Sequence, residues 1–187
     1  LTTLLGEEDS QEDFIRQELN ASIEATFLSR RDSPTIVKRR YIDNYFLTKL
    51  WEVYEINEEA LHPADNELLC AKLIEELPKY DVVIVVDFGH SMLSNEAIEI
   101  LCSKARFLAV NAQSNAGNLG YHSISKYPRA DYVSLGEKEI RLDARDRTGD
   151  LRGLVTDLSK RLDCARIVVT RGNRGALCYG EGEGFFD

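Results

Sequence analysis

The sequence predicts an α/β fold built on a mainly parallel sheet, with a small antiparallel β excursion. Three observations carry that expectation. Helical and strand periodicities alternate along the 187 residues without internal repeats or low-complexity stretches, as in chains of strand–helix–strand units. The segment Asp81-Val82-Val83-Ile84-Val85-Val86-Asp87 is an uninterrupted apolar strand, which suits a parallel sheet covered on both faces. Polar residues stand where the predicted strands end, at Asp87, Asn111, Ser134 and Thr170, and ligands of open parallel sheets gather at the carboxyl ends of the strands.

Taken in order, residues 1–5 predict a strand, and Ser10 opens a helix in which Phe14, Ile15, Leu19 and Ile23 recur at about helical spacing. Residues 26–28 form a short strand before a break at Ser33-Pro34. Residues 35–42 and 49–56 are β-branched and aromatic, with Asp43-Asn44 as turn material between them, so they predict the antiparallel excursion. From Pro63 the rhythm changes. Leu68, Leu69, Leu73 and Leu77 line a helix ended by Pro78, and the apolar strand follows. A helix over 94–104, strands over 107–110 and 132–135, helices from Glu137 and over 150–162, and a strand over 166–170 complete the pattern.

With 43% hydrophobic and 29% charged residues the chain has the composition of one soluble domain. Its longest apolar run, 82–86, is far short of the roughly 20 residues that cross a bilayer, so no membrane partner is expected. Thirty-two acidic against 23 basic side chains give a net charge of −9, which repels a phosphate backbone and argues against nucleic acid as a partner. Cys70, Cys102, Cys164 and Cys178 are scattered through apolar patterns without metal-site spacing, so they read as buried reduced thiols in a cytoplasmic protein. The first residues lack a basic leader and an initiator Met, and the last, Gly184-Phe185-Phe186-Asp187, stop on an apolar pair. Both ends read as cuts within a longer polypeptide.

Four segments could carry chemistry. Ile167-Val168-Val169-Thr170-Arg171-Gly172-Asn173-Arg174-Gly175 is a strand that ends in Thr and turns through two glycines. It is either a phosphate-approaching turn, with Thr170, Gly172 and Gly175 supplying hydroxyl and amides, or a hairpin whose glycines only satisfy positive φ. In Ser134-Leu135-Gly136-Glu137-Lys138-Glu139, Glu139 could hold hydrated Mg²⁺, or both glutamates could simply complement a helix N-terminus. Asp87, before Phe88-Gly89-His90, caps the next turn or meets a sugar hydroxyl. Lys38 and Arg40 share one strand face and could meet an anionic substrate, or belong to a solvated edge.

In this order the segments resemble the PfkB (ribokinase-like) carbohydrate kinases, among them the heptose-7-phosphate kinase half of ADP-heptose synthases. Leu4-Leu5-Gly6-Glu7-Glu8-Asp9 is similar to the family's early strand-turn, and Pro34-Thr35-Ile36-Val37-Lys38-Arg39-Arg40-Tyr41 to its lid strand. Val85-Val86-Asp87-Phe88-Gly89-His90 is similar to its Asp-Tyr-Gly-Lys turn, and Val110-Asn111-Ala112-Gln113, Ser134 to Glu139 and Thr170 to Gly175 complete the series.

The resemblance implies a ribokinase-like three-layer sandwich, incomplete at both ends, with residues 1–187 as a partial kinase domain and a lid over residues 35–56. It implies ATP-dependent phosphorylation of a sugar or sugar phosphate, with ATP and Mg²⁺ held by Ser134, Glu139, Thr170, Gly172 and Gly175, Glu139 acting on Mg²⁺ through water. Lys38, Arg40, Asp87 and Asn111 would face substrate, and a homodimer could form through the lid strands. The family's catalytic Asp, in Gly-Ala-Gly-Asp, is absent from these residues, so no catalytic residue is expected in this chain and the chain alone is expected to be inactive. Two departures stand out. Gly136 replaces the Asn of Asn-x-x-Glu, and His90 replaces the Lys after Asp-Tyr-Gly. A noncatalytic sugar- or nucleotide-binding domain of a larger multidomain protein is therefore the alternative.

Overall fold

Strands β1 (Thr2–Glu8) and β2 (Thr26–Pro34) run parallel, joined through helix α1 (Glu12–Glu18). They open a computed structural model that describes residues 1–114, 118 and 122–187. The chain divides into two compact units, Leu1–Leu69 with His90–Met92, and Cys70–Gly89 with Leu93–Asp187.

In the first unit, helix α1 stops earlier than its apolar spacing predicts, and Phe14 and Ile23 are exposed. The Asn20 side chain accepts from the Ser22 amide at 3.0 Å, a local turn that competes with helix continuation. Strand β2 instead runs longer than predicted. Its last residue is Pro34, which pairs with Glu8 across a register shift, a position where a missing amide donor is tolerated. The Thr35 hydroxyl ties the two segments together, accepting from the Gly6 amide at 2.8 Å and donating to the Ser10 carbonyl at 2.7 Å. Strands β3 (Val37–Ile42) and β4 (Lys49–Glu55) form the expected antiparallel ribbon. At its tip Asp43 accepts from the Tyr45 and Phe46 amides at 3.0 and 2.7 Å.

Helix α2 (Pro63–Glu76) starts on a proline, whose lack of an amide proton costs nothing at the first helical position. In the second unit β5 (Val83–Asp87), β6 (Leu108–Ala112), β7 (Tyr132–Gly136) and β8 (Arg166–Thr170) are parallel, while β9 (Ala176–Gly180) pairs antiparallel with β8 and β10 (Gly184–Phe186) antiparallel with β9. The sheet order is β10-β9-β8-β7-β6-β5. Helices α3 (Asn95–Lys104) and α4 (Glu137–Ala144) follow β5 and β7, α5 (Leu151–Arg161) comes between α4 and β8, and Ser94 and Asp150 cap α3 and α5 by accepting from Ala97 and Gly153 amides.

One face of this sheet carries the core. Val85, Val110, Val133 and Ile167 stand side by side in register, and they join Ile98 and Leu101 of α3, Ile140 of α4, and Val155 and Leu158 of α5 in one buried cluster. Val85, the least buried of these nine side chains, has only 8% of its surface exposed. Covering one such aliphatic side chain stabilises the fold by about 1.5–3 kcal/mol.

Strand β5 departs from the expectation of cover on both faces: it is the edge strand, with Ile84 71% and Val86 56% exposed. An unbroken apolar run identifies a strand without saying what lies on its second face.

All four cysteines are free. Among the described residues no helix is long and apolar enough to cross a membrane.

Gly6, the one glycine of the first unit, packs directly against backbone. A Cβ there would lie 2.1, 2.2 and 2.3 Å from Pro34 C, Thr35 N and Ser33 O, backbone atoms that cannot rotate aside. Gly6→Ala is expected to destabilise the protein by about 3 kcal/mol or more, measured by urea unfolding. An unchanged midpoint would show that β1 and β2 can slide apart at no cost.

Candidate functional site

Parallel strands end at one rim, and the register aligns those ends. Asn111 lies beside Ser134, Ser134 beside Val168, and Gly136 beside Thr170. Because side chains alternate between faces, Asn111, Ser134, Gly136 and Thr170 share the face opposite the core. There Asn111, Gln113, Ser134, Gly136, Glu139 and Thr170 line a cleft of about 250 Å³. The Asn111 amide is aimed within it, Nδ2 donating to the Ser134 carbonyl at 2.8 Å and Oδ1 accepting from Gln113 Nε2 at 3.0 Å.

The two glutamates at the start of α4 have different surroundings. Glu137 is bound by Arg141, with Nε–Oε1 at 3.0 Å, by Arg174 at 2.5 Å and by Arg171 at 3.5 Å. Burial pushes its carboxyl up, but Arg141 and the flanking arginines outweigh burial and hold it below the usual glutamate range. Arg171 and Arg174 are thus partly neutralised by the protein itself. Half-buried Glu139 makes no ion pair with any described residue, and its carboxylate folds back against Gly136, within the cleft.

Asp87 shares the rim but points to the core face. It is 6% exposed. Its carboxylate accepts from the Tyr127 hydroxyl at 2.5 Å and the Gly89 amide at 2.9 Å, and it pairs with Lys126 Nζ at 2.6 Å. His122 Nε2 lies 3.2 Å from the Asp87 carbonyl and 3.5 Å from Oδ1. Burial alone raises the Asp87 carboxyl, yet Lys126, Tyr127 and the Gly89 amide hold it below the ordinary aspartate value. Burial pushes the His122 imidazole below its ordinary value, against the opposing pull of the Asp87 charge.

The glycine turn closes a hairpin between β8 and β9, with Thr170 paired to Ala176. Gly172 and Gly175 take φ of 60° and 79°, with nothing within 4 Å of where a Cβ would stand. The Arg171, Arg174 and Gly175 amides bond within the turn. On the ribbon, Lys38 lies over the Tyr54 ring at 4.7 Å and Arg40 binds Glu52 at 2.5 Å. Both stand on one face of β3, as their spacing predicts, each already facing a partner from β4.

No family model matches the chain. It is 25% identical over 186 residues to the bifunctional protein HldE of Aeromonas hydrophila, covering 98% of this chain and 37% of that protein. It is 26% identical over 162 residues to HldE of Bradyrhizobium diazoefficiens, covering 83% of this chain and 31% of that one. The chain therefore spans about a third of the length of these curated relatives. Among solved structures, the tetrameric inhibited form of phosphofructokinase-2 from Escherichia coli superposes with a TM-score of 0.73 at 12% identity, over 99% of this chain and 60% of that one. The fold is ribokinase-like. Ribokinase from Giardia lamblia agrees, with a TM-score of 0.68 at 16% identity over 99% of this chain and 57% of that one. The ribokinase-like sheet accounts for the shared rim, since its parallel strands present their carboxyl ends together.

Sequence reading missed the partners of Asp87. Lys126 and Tyr127 lie in and after a short 3-10 turn, Ile124–Lys126, and no local pattern ties them to a strand about forty positions earlier. Their placement has its own anchor. Asp143 of α4 accepts from the Ser125 amide and hydroxyl at 3.1 and 2.9 Å and pairs with Arg161 at 2.6 Å.

A carboxyl whose folded pKa is depressed stabilises the fold above its unfolded pKa, about 3.9 for Asp, and that contribution fades as pH falls through the lower folded value. Acid unfolding monitored below pH 4 is therefore expected to lose part of its pH dependence in Asp87→Asn. Tyr127→Phe, which removes one donor from a buried charge, is expected to cost about 2 kcal/mol at pH 7. Identical acid limbs in wild type and Asp87→Asn would remove Asp87 from the account.

Proposed function

We propose that these residues form part of an ATP- and Mg²⁺-dependent kinase that transfers the γ-phosphoryl group to a hydroxyl of a sugar or sugar phosphate. The observation that carries the reading is the convergence of Asn111, Ser134, Glu139 and Thr170 in one cleft at the strand ends of a ribokinase-like sheet. One structural neighbour, phosphofructokinase-2 from Escherichia coli, is known in complex with fructose-6-phosphate, which supports a sugar phosphate as the substrate class. The composition and the free thiols fit a cytoplasmic protein.

The donor set suits both cofactors. A carboxylate without an ion-pair partner among the described residues can order the hydration shell of Mg²⁺, which keeps most of its waters, and the space around Gly172 admits a phosphate. Bound Mg²⁺ supplies positive charge to the phosphate oxygens. Thr170 offers a hydroxyl at the cleft, and the Gly172 and Asn173 amides are the turn donors we assign to phosphate, the other three being engaged within the turn. Asn111 orients the substrate side of the cleft. Asp87 we assign to holding the turn after β5, since its oxygens already have Tyr127, Lys126 and Gly89 as donors. Lys38 and Arg40 remain candidates for substrate contact, each able to exchange its present partner for an anion.

A second reading, a noncatalytic sugar- or nucleotide-binding domain of a multidomain protein, is favoured by the capture of Arg171 and Arg174 by Glu137. Calorimetric titration of the full-length protein with ATP at several Mg²⁺ concentrations separates the readings. Gly172→Val is expected to weaken ATP binding about tenfold or more, through positive φ and lost phosphate space. Glu139→Gln is expected to raise the Mg²⁺ requirement while leaving metal-free ATP binding less affected. If both variants bind ATP as the wild type does, the turn is only a hairpin.

The purified 187 residues are expected to phosphorylate no sugar, because the Gly-Ala-Gly-Asp segment is not among them. They are also expected to self-associate through the ribbon, where Tyr41 and Trp51 pair 5.1 Å apart on an exposed face. ATP-dependent product formation would overturn the first expectation, and a Trp51→Glu variant that sediments as the wild type does would overturn the second.

A further inference from the structure

Gly136 has a different reason to be glycine from the others near the cleft. Its backbone, φ −81° and ψ 158°, is open to any residue, so no positive φ demands it. What a side chain would meet is Glu139: a Cβ on Gly136 would stand 2.2 Å from Glu139 Oε2 and 3.3 Å from its Cδ, with Thr170 Oγ1 at 3.8 Å. The volume of the missing side chain is occupied by the carboxylate three residues on. Around Gly172 and Gly175, by contrast, the equivalent space is open.

We propose that Gly136 is a positioning residue that, by having no side chain, seats the Glu139 carboxylate at the strand rim beside Thr170 and so sets how Glu139 acts on the cation. This rests on the kinase reading. The obstructed atom is the far end of a flexible side chain rather than backbone, so a methyl group at position 136 is relieved by swinging the carboxylate away. The fold should hold while the acid leaves its seat. Gly136 is then more than a lost amide in the Asn-x-x-Glu pattern, because it exchanges a neutral side chain at the rim for the end of a charged one. Glu137 cannot substitute, since Arg141, Arg171 and Arg174 hold it.

The test uses the full-length protein as wild type, Gly136→Ala, Glu139→Gln and the double variant, titrated with ATP in EDTA and across a Mg²⁺ series, with melting curves alongside. Gly136→Ala is expected to melt like the wild type, to bind metal-free ATP equally, and to need about tenfold more Mg²⁺ for half-maximal tightening of ATP binding. The double variant should be no worse than Glu139→Gln alone, because both changes remove one interaction. A Gly136→Ala protein with wild-type Mg²⁺ dependence, where Glu139→Gln is shifted, overturns the proposal and leaves the kinase reading standing. A large drop in melting temperature for Gly136→Ala overturns it as well, by making the glycine a backbone requirement. If the wild type binds no ATP at any Mg²⁺ level, the kinase reading fails and this proposal with it.

Discussion

Pleating constrains the whole arrangement at the rim. In a parallel sheet every strand delivers its carboxyl end to the same edge, while successive residues face opposite sides. Asp87 and Asn111 therefore reach one rim and part there, because Val86, not Asp87, is the register partner of Asn111. The odd-even choice sends Asp87 into the core with Tyr127 and Lys126 and leaves Asn111 with Ser134 and Thr170 in the cleft. A shift of one residue in β5 would exchange the buried Asp87 for an apolar side chain and turn the strand's faces over together.

Two carboxylates two positions apart on α4 illustrate how surroundings divide labour. Glu137 is drawn into a cluster with three arginines, tying the hairpin turn after β8 to the start of the helix. Glu139 sits without a cationic partner among the described residues. The first ties turn to helix, and the second lines the cleft. Around Asp87, likewise, Tyr127, Lys126 and the Gly89 amide already engage the carboxylate, and His122 lies against its backbone carbonyl.

Much of the fold was legible because periodicity reports element type directly. The apolar run 81–87, the capped helix at Ser94 and the β-branched ribbon all stand where expected. Boundaries failed where a side chain competed with the backbone, as Asn20 does at the end of α1. The cleft was legible as a rim, since Asn111, Ser134 and Thr170 stand in the last three residues of their strands and Glu139 comes three residues after one. What sequence could not tell was direction and partnership: which face Asp87 takes, that Lys126 and Tyr127 close on it, and that Arg171 and Arg174 already have Glu137. Those facts depend on contacts across tens of residues, for which a single sequence has no local signature. The meeting of Gly136 with Glu139 was closer to hand, because a helix N-cap and the third residue after it lie next to each other.

The edge position of β5 bears on how the chain is made. Its only sheet neighbour among the described residues, β6, follows it in sequence, so during synthesis the run 82–86 emerges with both edges unpaired. Five consecutive β-branched residues of this kind form an aggregation-prone window. The carboxylates of Asp81 and Asp87 bracket it, and such flanking charges slow association of like strands. Once Asp87 is drawn into its cluster with Lys126 and Tyr127, only Asp81 is left exposed at the open edge. The nascent strand thus has both carboxylates as charged guards, and in the folded sheet, where β6 covers one of its edges, Asp87 has been taken into the core.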